Sequence, residues 1–363
     1  MVKSTTLSDV ARAARVSLGT ASNTFNRPDL VRPEVRELVE QAARDLGYSG
    51  PDPTGRLLMG GKANAIGLLP PGEMSVTHAV GSPYFRDIMI GIAELCDQHN
   101  ASLLVVSGAE GRKDWAIRNA LVDGFILGHT EEIAMVAARR RKTPFVVMDM
   151  DAGPDVSSVR IDGRRGARLA AEHLLKLGHR RFIIASVLRK PADPIWHPPG
   201  DPGRQLAGGY QLDHEKLAGY AEALAAAGIS IDDVPIIESH PPSPWAETSA
   251  RMTLDRASEA TAILAMSDKQ AIAILEEARR RGINIPRDLS VIGFDDASNA
   301  AIANPPLTTV AQPLAEKGRI AARMIFEGGS ARQVHLPVEL VVRASTFRPR
   351  KERVSVAGQG TLL

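Results

Sequence analysis

The residues with chemistry to offer fall at two kinds of position. Ser17, Leu18, Gly19, Thr20, Ser22 and Asn23 sit close together in one short segment rich in small hydroxyl and amide groups. Such groups on the outer face of a helix suit insertion in the major groove of DNA and hydrogen bonding to base edges. Elsewhere, Asp149, Asp295 and the pair Ser267-Asp268 each directly follow, or nearly follow, an apolar run: Phe145–Met148, Ser290–Phe294 and Ala262–Ala265. Ligands of open α/β sheets bind beyond the carboxyl ends of the strands. Carboxylates placed there can accept hydrogen bonds from sugar hydroxyls, while Trp245 can stack on an apolar ring face. The same aspartates also suit helix capping, and Asp268 reads more as a cap than as a ligand.

Catalytic arrangements do not emerge. The chain has no G-x-x-x-x-G-K-S/T phosphate loop, G-x-S-x-G elbow, H-E-x-x-H helix or G-x-G-x-x-G fingerprint. His173 and His179 are too far apart to share one helical face, and Glu276-Glu277 with Arg279–Arg281 reads as a solvated surface. Cys96, the single cysteine, reads as a small buried hydrophobe and can form no intramolecular disulfide. No cofactor, no metal and no enzymatic activity are expected. A sugar-modifying enzyme on a similar scaffold would need a constellation that these residues do not supply.

These groups must be positioned by more than one unit, because 363 residues exceed the usual single domain. The net charge is only +2, which argues against a surface that grips phosphate everywhere. Residues 1–62 hold nine bases and seven acids, so they carry all of that excess. No apolar run is long enough to span a bilayer, and the polar start lacks the apolar core of a secretory signal, so a cytoplasmic protein is expected.

The first fifty residues read as three short helices. Ser8 is a candidate cap for the first, and Arg15-Val16 makes a turn. Ser17 caps a second helix running to about Phe25, and Pro33 opens a third, with Val35, Leu38, Val39, Ala42 and Leu46 inward and Gly47 as its stop. Residues 51–61, rich in Pro and Gly, could hold a helix of less than two turns, too short to be stable alone. Beyond them, apolar runs alternate with helical patterns such as Arg164–Leu177 and Asp268–Arg281, which argues for doubly wound parallel sheets. Eight or more strands over this length fit two sheets better than one. Arg189–Asp213 carries five prolines and four glycines. Trp196, His197 and Tyr210 within it could close over a cleft, or the stretch could be a surface excursion.

Specific residues narrow the reading. Thr6-Leu7-Ser8-Asp9-Val10-Ala11, Val16-Ser17-x-x-Thr20-x-Ser22, Asn26, Val31-Arg32 and Gly47-Tyr48 closely resemble the headpiece of the LacI/GalR family of bacterial transcriptional regulators. Val122–Ile126, Leu177-Gly178-His179, Met266-Ser267-Asp268, Asp288–Asp296 and Pro305–Val310 are similar to that family's effector domain. The resemblance implies an α/β protein: an all-α helix-turn-helix headpiece (1–50), a hinge helix (51–61), then two doubly wound parallel-sheet subdomains (62–350) like a periplasmic binding protein, and a flexible tail (351–363). It implies a homodimeric repressor that binds a near-palindromic double-stranded operator and is controlled by a small-molecule effector, a sugar or related metabolite. By the same resemblance Asn26 joins the DNA-binding set, Leu57 is a minor-groove wedge, and Tyr84, Phe85 and Lys216 join the effector site. Three departures stand in the headpiece: Arg15 replaces the usual Gly, Asn23 the usual Arg, and Phe25 the usual Leu or Val. Lys216 stands where Arg usually holds the effector in a fork, and it loses that bidentate geometry. The alternative is a cytosolic sugar-binding protein without sequence-specific DNA binding.

Overall fold

The computed structural model describes residues 5–50, 62–71, 74–108, 113–128, 135–136, 139, 142–187, 193–201, 210–240 and 245–350. The expected hinge helix with Leu57, the tail, and residues 188–192 and 202–209 of the Pro/Gly-rich stretch lie outside the described residues. The chain divides into two compact units, Met1–Ala63 and Asn64–Leu363.

In the first unit, α1 (Leu7–Ala13), α2 (Leu18–Asn26) and α3 (Pro33–Asp45) enclose a small core of Val10, Ala11, Ala14, Ala21, Val39 and Ala43. Four of these six are alanines, which lets short helices approach closely. Phe25 closes the core edge-on to Tyr48, with ring centroids 5.6 Å apart. The cap of α1 is Thr6, not Ser8. The Asp9 N–H donates to the Thr6 hydroxyl and the Thr6 N–H to the Asp9 carboxylate, a reciprocal box. Starting there also lets Leu7 pack on the core. Ser17 caps α2 as expected, accepting the N–H of Thr20 at 3.0 Å. On α3, Val39 is buried, but Leu38 and Leu46 are exposed and Ala43 turns inward instead.

The second unit runs through β1 (Ala65–Leu69), α4 (Val76–Gly81), α5 (Pro83–Gln98), β2 (Ser102–Val105), α6 (Lys113–Asn119), β3 (Gly124–Gly128), β4 (Phe145–Met148) and β5 (Ser157–Ile161). It continues with α7 (Gly163–Leu177), β6 (Phe182–Val187), β7 (Ile195–His197), α8 (Gln211–Ala226), β8 (Ile236–Ser239), α9 (Trp245–Asp255), β9 (Ala262–Ala265) and α10 (Asp268–Arg280). It ends with β10 (Ser290–Asp295), β11 (Thr308–Ala311), α11 (Leu314–Glu327), β12 (Gln333–Leu336) and β13 (Glu339–Val341).

These strands form two sheets, in the orders β12-β5-β4-β3-β1-β2 and β13-β11-β10-β9-β6-β8-β7. All pairs are parallel except the edge strands β13 and β7. The fold is therefore the expected α/β pair of doubly wound sheets. The chain passes between the sheets three times: after β5, after β11 and between β12 and β13. The central strands β1 and β3 are buried along their whole length, as strands covered on both faces must be.

After β11 the chain enters the layer of the first sheet as α11, which packs on α5. The two backbones meet at glycines. A Cβ on Gly91 would lie 1.8 Å from the Ala315 carbonyl oxygen, and one on Gly318 would lie 2.2 Å from that of Ile88.

The described part of the Pro/Gly-rich stretch corrects the idea that Trp196 and His197 cover a cleft. They sit in β7, an added edge strand antiparallel to β8. Trp196 packs on the apolar cluster around Ile183 and Ile237, and the Arg256 guanidinium faces its ring at 5.4 Å. His197 is buried, with Nδ1 2.9 Å from Asp201 and Nε2 3.0 Å from Glu238.

The glycine contact yields a stability test. Gly91→Ala is expected to destabilise the second unit by roughly 1–3 kcal/mol, as overpacking does, and to lower its urea midpoint. An unchanged midpoint would mean that α5 and α11 are free to separate.

Candidate functional site

The first unit offers its polar face on α2. Ser17, Leu18 and Gly19 are exposed, while Thr20, Ser22 and Asn23 are half-buried. Asn26 closes the helix. The Ser17 and Thr20 hydroxyls lie 2.8 Å apart, so the cap also orients Thr20. A Cβ on Gly19 would meet only Ser17 Oγ at 3.7 Å, so packing within the chain does not require glycine there. The turn into α2 does carry a constraint: Arg15 has a φ of +53°. That left-handed backbone is the one glycine adopts freely and other residues adopt at a cost.

In the second unit, the carboxyl ends of β1, β6, β8, β9 and β10 surround a cavity of about 790 Å³ that opens on one side. Tyr84 and Phe85 reach it from the start of α5, and Tyr210, Leu212, Asp213 and Lys216 from the start of α8. Ser267 and Asp295 line it as the strand-end reading expects. Trp245 is half-buried at the start of α9 and is not among the lining residues. Asp149 is not among them either; it lies buried behind Tyr84, whose hydroxyl donates to its Oδ2 at 3.2 Å.

The charged groups are mostly engaged with the protein. The Lys216 ammonium donates to the Met266 carbonyl at 2.9 Å, sits 4.3 Å from the centre of the Phe294 ring and lies 3.9 Å from Asp213. Lysine at this position braces the end of β9 instead of offering a fork. Lys317 of α11 is fully buried and donates to Asp149 Oδ2 at 2.6 Å and to Gln312. The Gln312 amide in turn donates to Asp295 Oδ1 at 2.7 Å.

Burial pushes Asp295 up to about 6, against the opposing pulls of Lys216 and the Gln312 amide. Burial also raises Asp268, whose carboxylate accepts the Ala297 N–H at 2.9 Å and the Thr309 hydroxyl at 2.5 Å. Asp268 therefore ties α10 to the segment after β10 and to β11, and the cap of α10 is Ser267. Asp149, Asp295 and Asp296 all have positive φ, at +56°, +122° and +52°. Strained backbone of this kind gathers at functional sites.

Sequence reasoning missed His240, Met74, Lys269 and Lys317. Lys317 carried a readable signal, because it lies on the inner face of α11 among Leu314, Gly318, Ala321 and Ile325. His240 is buried on the cavity wall just beyond β8, and burial, with His78 adding, lowers its pKa and keeps the imidazole neutral. Nothing around His240 in the sequence distinguishes it.

A capped helix-turn-helix unit and a two-sheet unit with a cavity at its strand ends together define a ligand-responsive DNA-binding regulator. Residues 6–50 match the bacterial regulatory proteins of the lacI family, and residues 171–346 match a periplasmic binding protein-like domain. A helix-turn-helix transcriptional regulator of Mycolicibacterium smegmatis is 32% identical over 357 residues, 95% of each chain. The transcriptional repressor CytR of Escherichia coli (strain K12) is 29% identical over 355 residues, covering 94% of this chain and 96% of its own. The solved structure of a transcriptional regulator CelR–cellobiose complex superposes with a TM-score of 0.64 at 28% identity, covering 94% of this chain and 99% of that one. The chain belongs to the LacI family of transcriptional regulators. Among the described residues, no helix is long and apolar enough to cross a membrane.

The strained turn gives a direct measurement. Arg15→Gly is expected to raise the stability of the first unit by about 0.5–1 kcal/mol, since relief of a left-handed side chain outweighs the added chain entropy. A lowered thermal midpoint would show that the Arg15 side chain holds the turn.

Proposed function

We propose that the protein is a cytoplasmic, homodimeric repressor that reads a near-palindromic operator and is controlled by a sugar or related metabolite. It catalyses no reaction in this reading. The observation that carries the effector half is the cavity itself, with the buried carboxylate of Asp295 on its wall. The similarity to CelR, solved as a complex with cellobiose, supports a carbohydrate as the effector.

Tyr84, Phe85, Lys216, Ser267 and Asp295 form the effector site in this reading, with Asp149 holding Tyr84 from behind. Trp245 could contribute only by a movement of the start of α9. Effector control requires the ligand to favour one arrangement of the two sheets over another. The three passages between sheets are where such a change would bend. The contacts to be remade include Arg86 to Ser298 at 2.9 Å and the Ser298 N–H to Asp87 at 2.7 Å. The exposed apolar side chains of Leu104 on the edge strand β2 and of Trp115 near it on α6 offer a face for a second copy.

Ser17, Leu18, Gly19, Thr20, Ser22, Asn23 and Asn26 form the base-reading face, with Leu57 as the wedge in the minor groove. Asn23 in place of arginine moves the bidentate preference from guanine toward adenine, worth about 1–3 kcal/mol of discrimination. Selection from a randomised DNA pool tests this. The full chain is expected to enrich a near-palindrome, and Asn23→Arg is expected to shift one position of each half-site toward G. No enrichment by the natural chain would leave a sugar-binding protein without operator recognition.

The titration of Asp295 gives the effector half its own test. With a folded value of about 6 against an ordinary 3.8, its contribution to stability is present below pH 3.8 and lost as pH rises through about 6. An effector that donates hydrogen bonds to this carboxylate needs the ionised form and binds better above that pH. Once a thermal-shift screen of sugars and related metabolites supplies a ligand, calorimetry is expected to show affinity falling toward tenfold per unit of acidification below about pH 6. A flat profile would remove Asp295 from the ligand contacts.

A further inference from the structure

A second space of about 750 Å³ adjoins the first and shares Ser82, Tyr84, Lys269 and Asp295 with it. The two differ in the chemistry of their walls. The first exposes mainly Met74, Phe85, Leu212 and Met266 with the rings of Tyr84 and Tyr210, while Asp213, Lys216, His240 and Ser267 stand at its edges with most of their charge engaged by the protein. Those surfaces desolvate a flat apolar group and offer it ring faces and edges. The second follows α10 from Asp268 past Ile272 to Glu276 and adds Glu247 and Asn299. Its carboxylates and amide suit a ligand rich in hydrogen-bond donors.

Each space also holds a buried polar atom with no hydrogen-bond partner among the described residues: Nδ1 of His240 in the first and Oδ1 of Asn299 in the second. A buried polar atom left unpaired is costly, so each marks a place where a ligand group could complete the bonding. Between them stands Asp295, common to both walls. A single sugar ring at Asp295 would serve the polar space and leave the apolar walls against water. A purely apolar ligand would leave the carboxylates unmatched.

We propose that the effector has two parts, a polyhydroxylated ring joined to a flat apolar or heteroaromatic ring, as in an aryl or heteroaryl glycoside. The hydroxyls face Asp295, Glu247 and Asn299. The flat ring lies among Phe85, Tyr210, Met74 and Met266. Lys216, engaged with the Met266 carbonyl, supplies no fork to a second sugar. This inference rests on the cleft being the effector site.

Calorimetric titration of the full-length protein tests it. The probes are phenyl β-glucoside, phenyl β-galactoside, adenosine and uridine, each set against its parent glucose, galactose or ribose. At least one two-ring probe is expected to bind about tenfold or more tightly than its free sugar, as burial of an apolar ring implies. Tyr210→Ala, at a half-buried wall position, is expected to erase that difference by weakening the two-ring probe about tenfold. Phe85→Leu, which keeps an apolar side chain, is expected to reduce the difference in part. A free sugar that binds as tightly as its glycoside overturns the two-part effector and leaves sugar control intact. Failure of every two-ring probe to bind also overturns it. A two-ring probe that binds but never alters operator affinity in gel shift would instead count against the regulatory reading.

Discussion

The second unit is organised around an ammonium group that has no access to water. Lys317 is fully buried, and its charge is matched by Asp149 at 2.6 Å and by the Gln312 side-chain oxygen. Removing either member of such a pair leaves an uncompensated charge and costs about 3–5 kcal/mol. The pair is therefore fixed in place, and other positions follow from it. Tyr84 is held by Asp149, Asp295 is held by Gln312, and both line the cavity. One chain of hydrogen bonds thus joins α5, the end of β4, the end of β11, α11 and the end of β10.

That chain of contacts crosses between the two sheets at the passage from β11 into α11. Asp149 belongs to the first sheet and Asp295 to the second. Gln312 and Lys317 occupy the connecting segment itself. A ligand that alters the charge or bonding of Asp295 therefore acts on the same network that spans the passage. The close approach of α5 and α11 at Gly91 and Gly318 leaves α11 little room to adjust alone. Packed cores of this kind respond by moving between discrete arrangements and not by gradual deformation.

Local chemistry was the legible part. Ser17 as a cap, Pro33 in the first turn of α3 and the buried central strands depend on neighbours within a few residues or on a run of one character. The cap of α1 was misplaced by two residues because Thr6 and Ser8 are both competent, and the choice is made by Leu7 packing on the core. Strands β5, β7, β11, β12 and β13 carry no long apolar run that would announce them, because they are short, mixed in character or edge strands.

At the cavity, strand-end position identified Asp295 and Ser267, yet the same rule carried Asp149 into the lining. What excludes Asp149 is Lys317, 168 residues away, and no pattern near Asp149 announces that partner. Lys216 was read for its charge, but its role is set by a carbonyl 50 residues on. His240 depends on the fold placing β8 beside β6, one strand removed from β9, which only the sheet order states.

The headpiece works under a different limit. Nine bases against seven acids in residues 1–62 leave little charge with which to hold phosphate. Affinity that rests on few phosphate contacts loses little with added salt, and non-specific binding is correspondingly weak. Discrimination must then come from base contacts made by small side chains and from the symmetry of paired half-sites. Gly19 fits that economy, since no contact within the chain demands it while a bare backbone permits the closest approach to a base edge. A net charge near zero is what a regulator would carry if its selectivity depended on shape and hydrogen bonding more than on attraction to DNA at large.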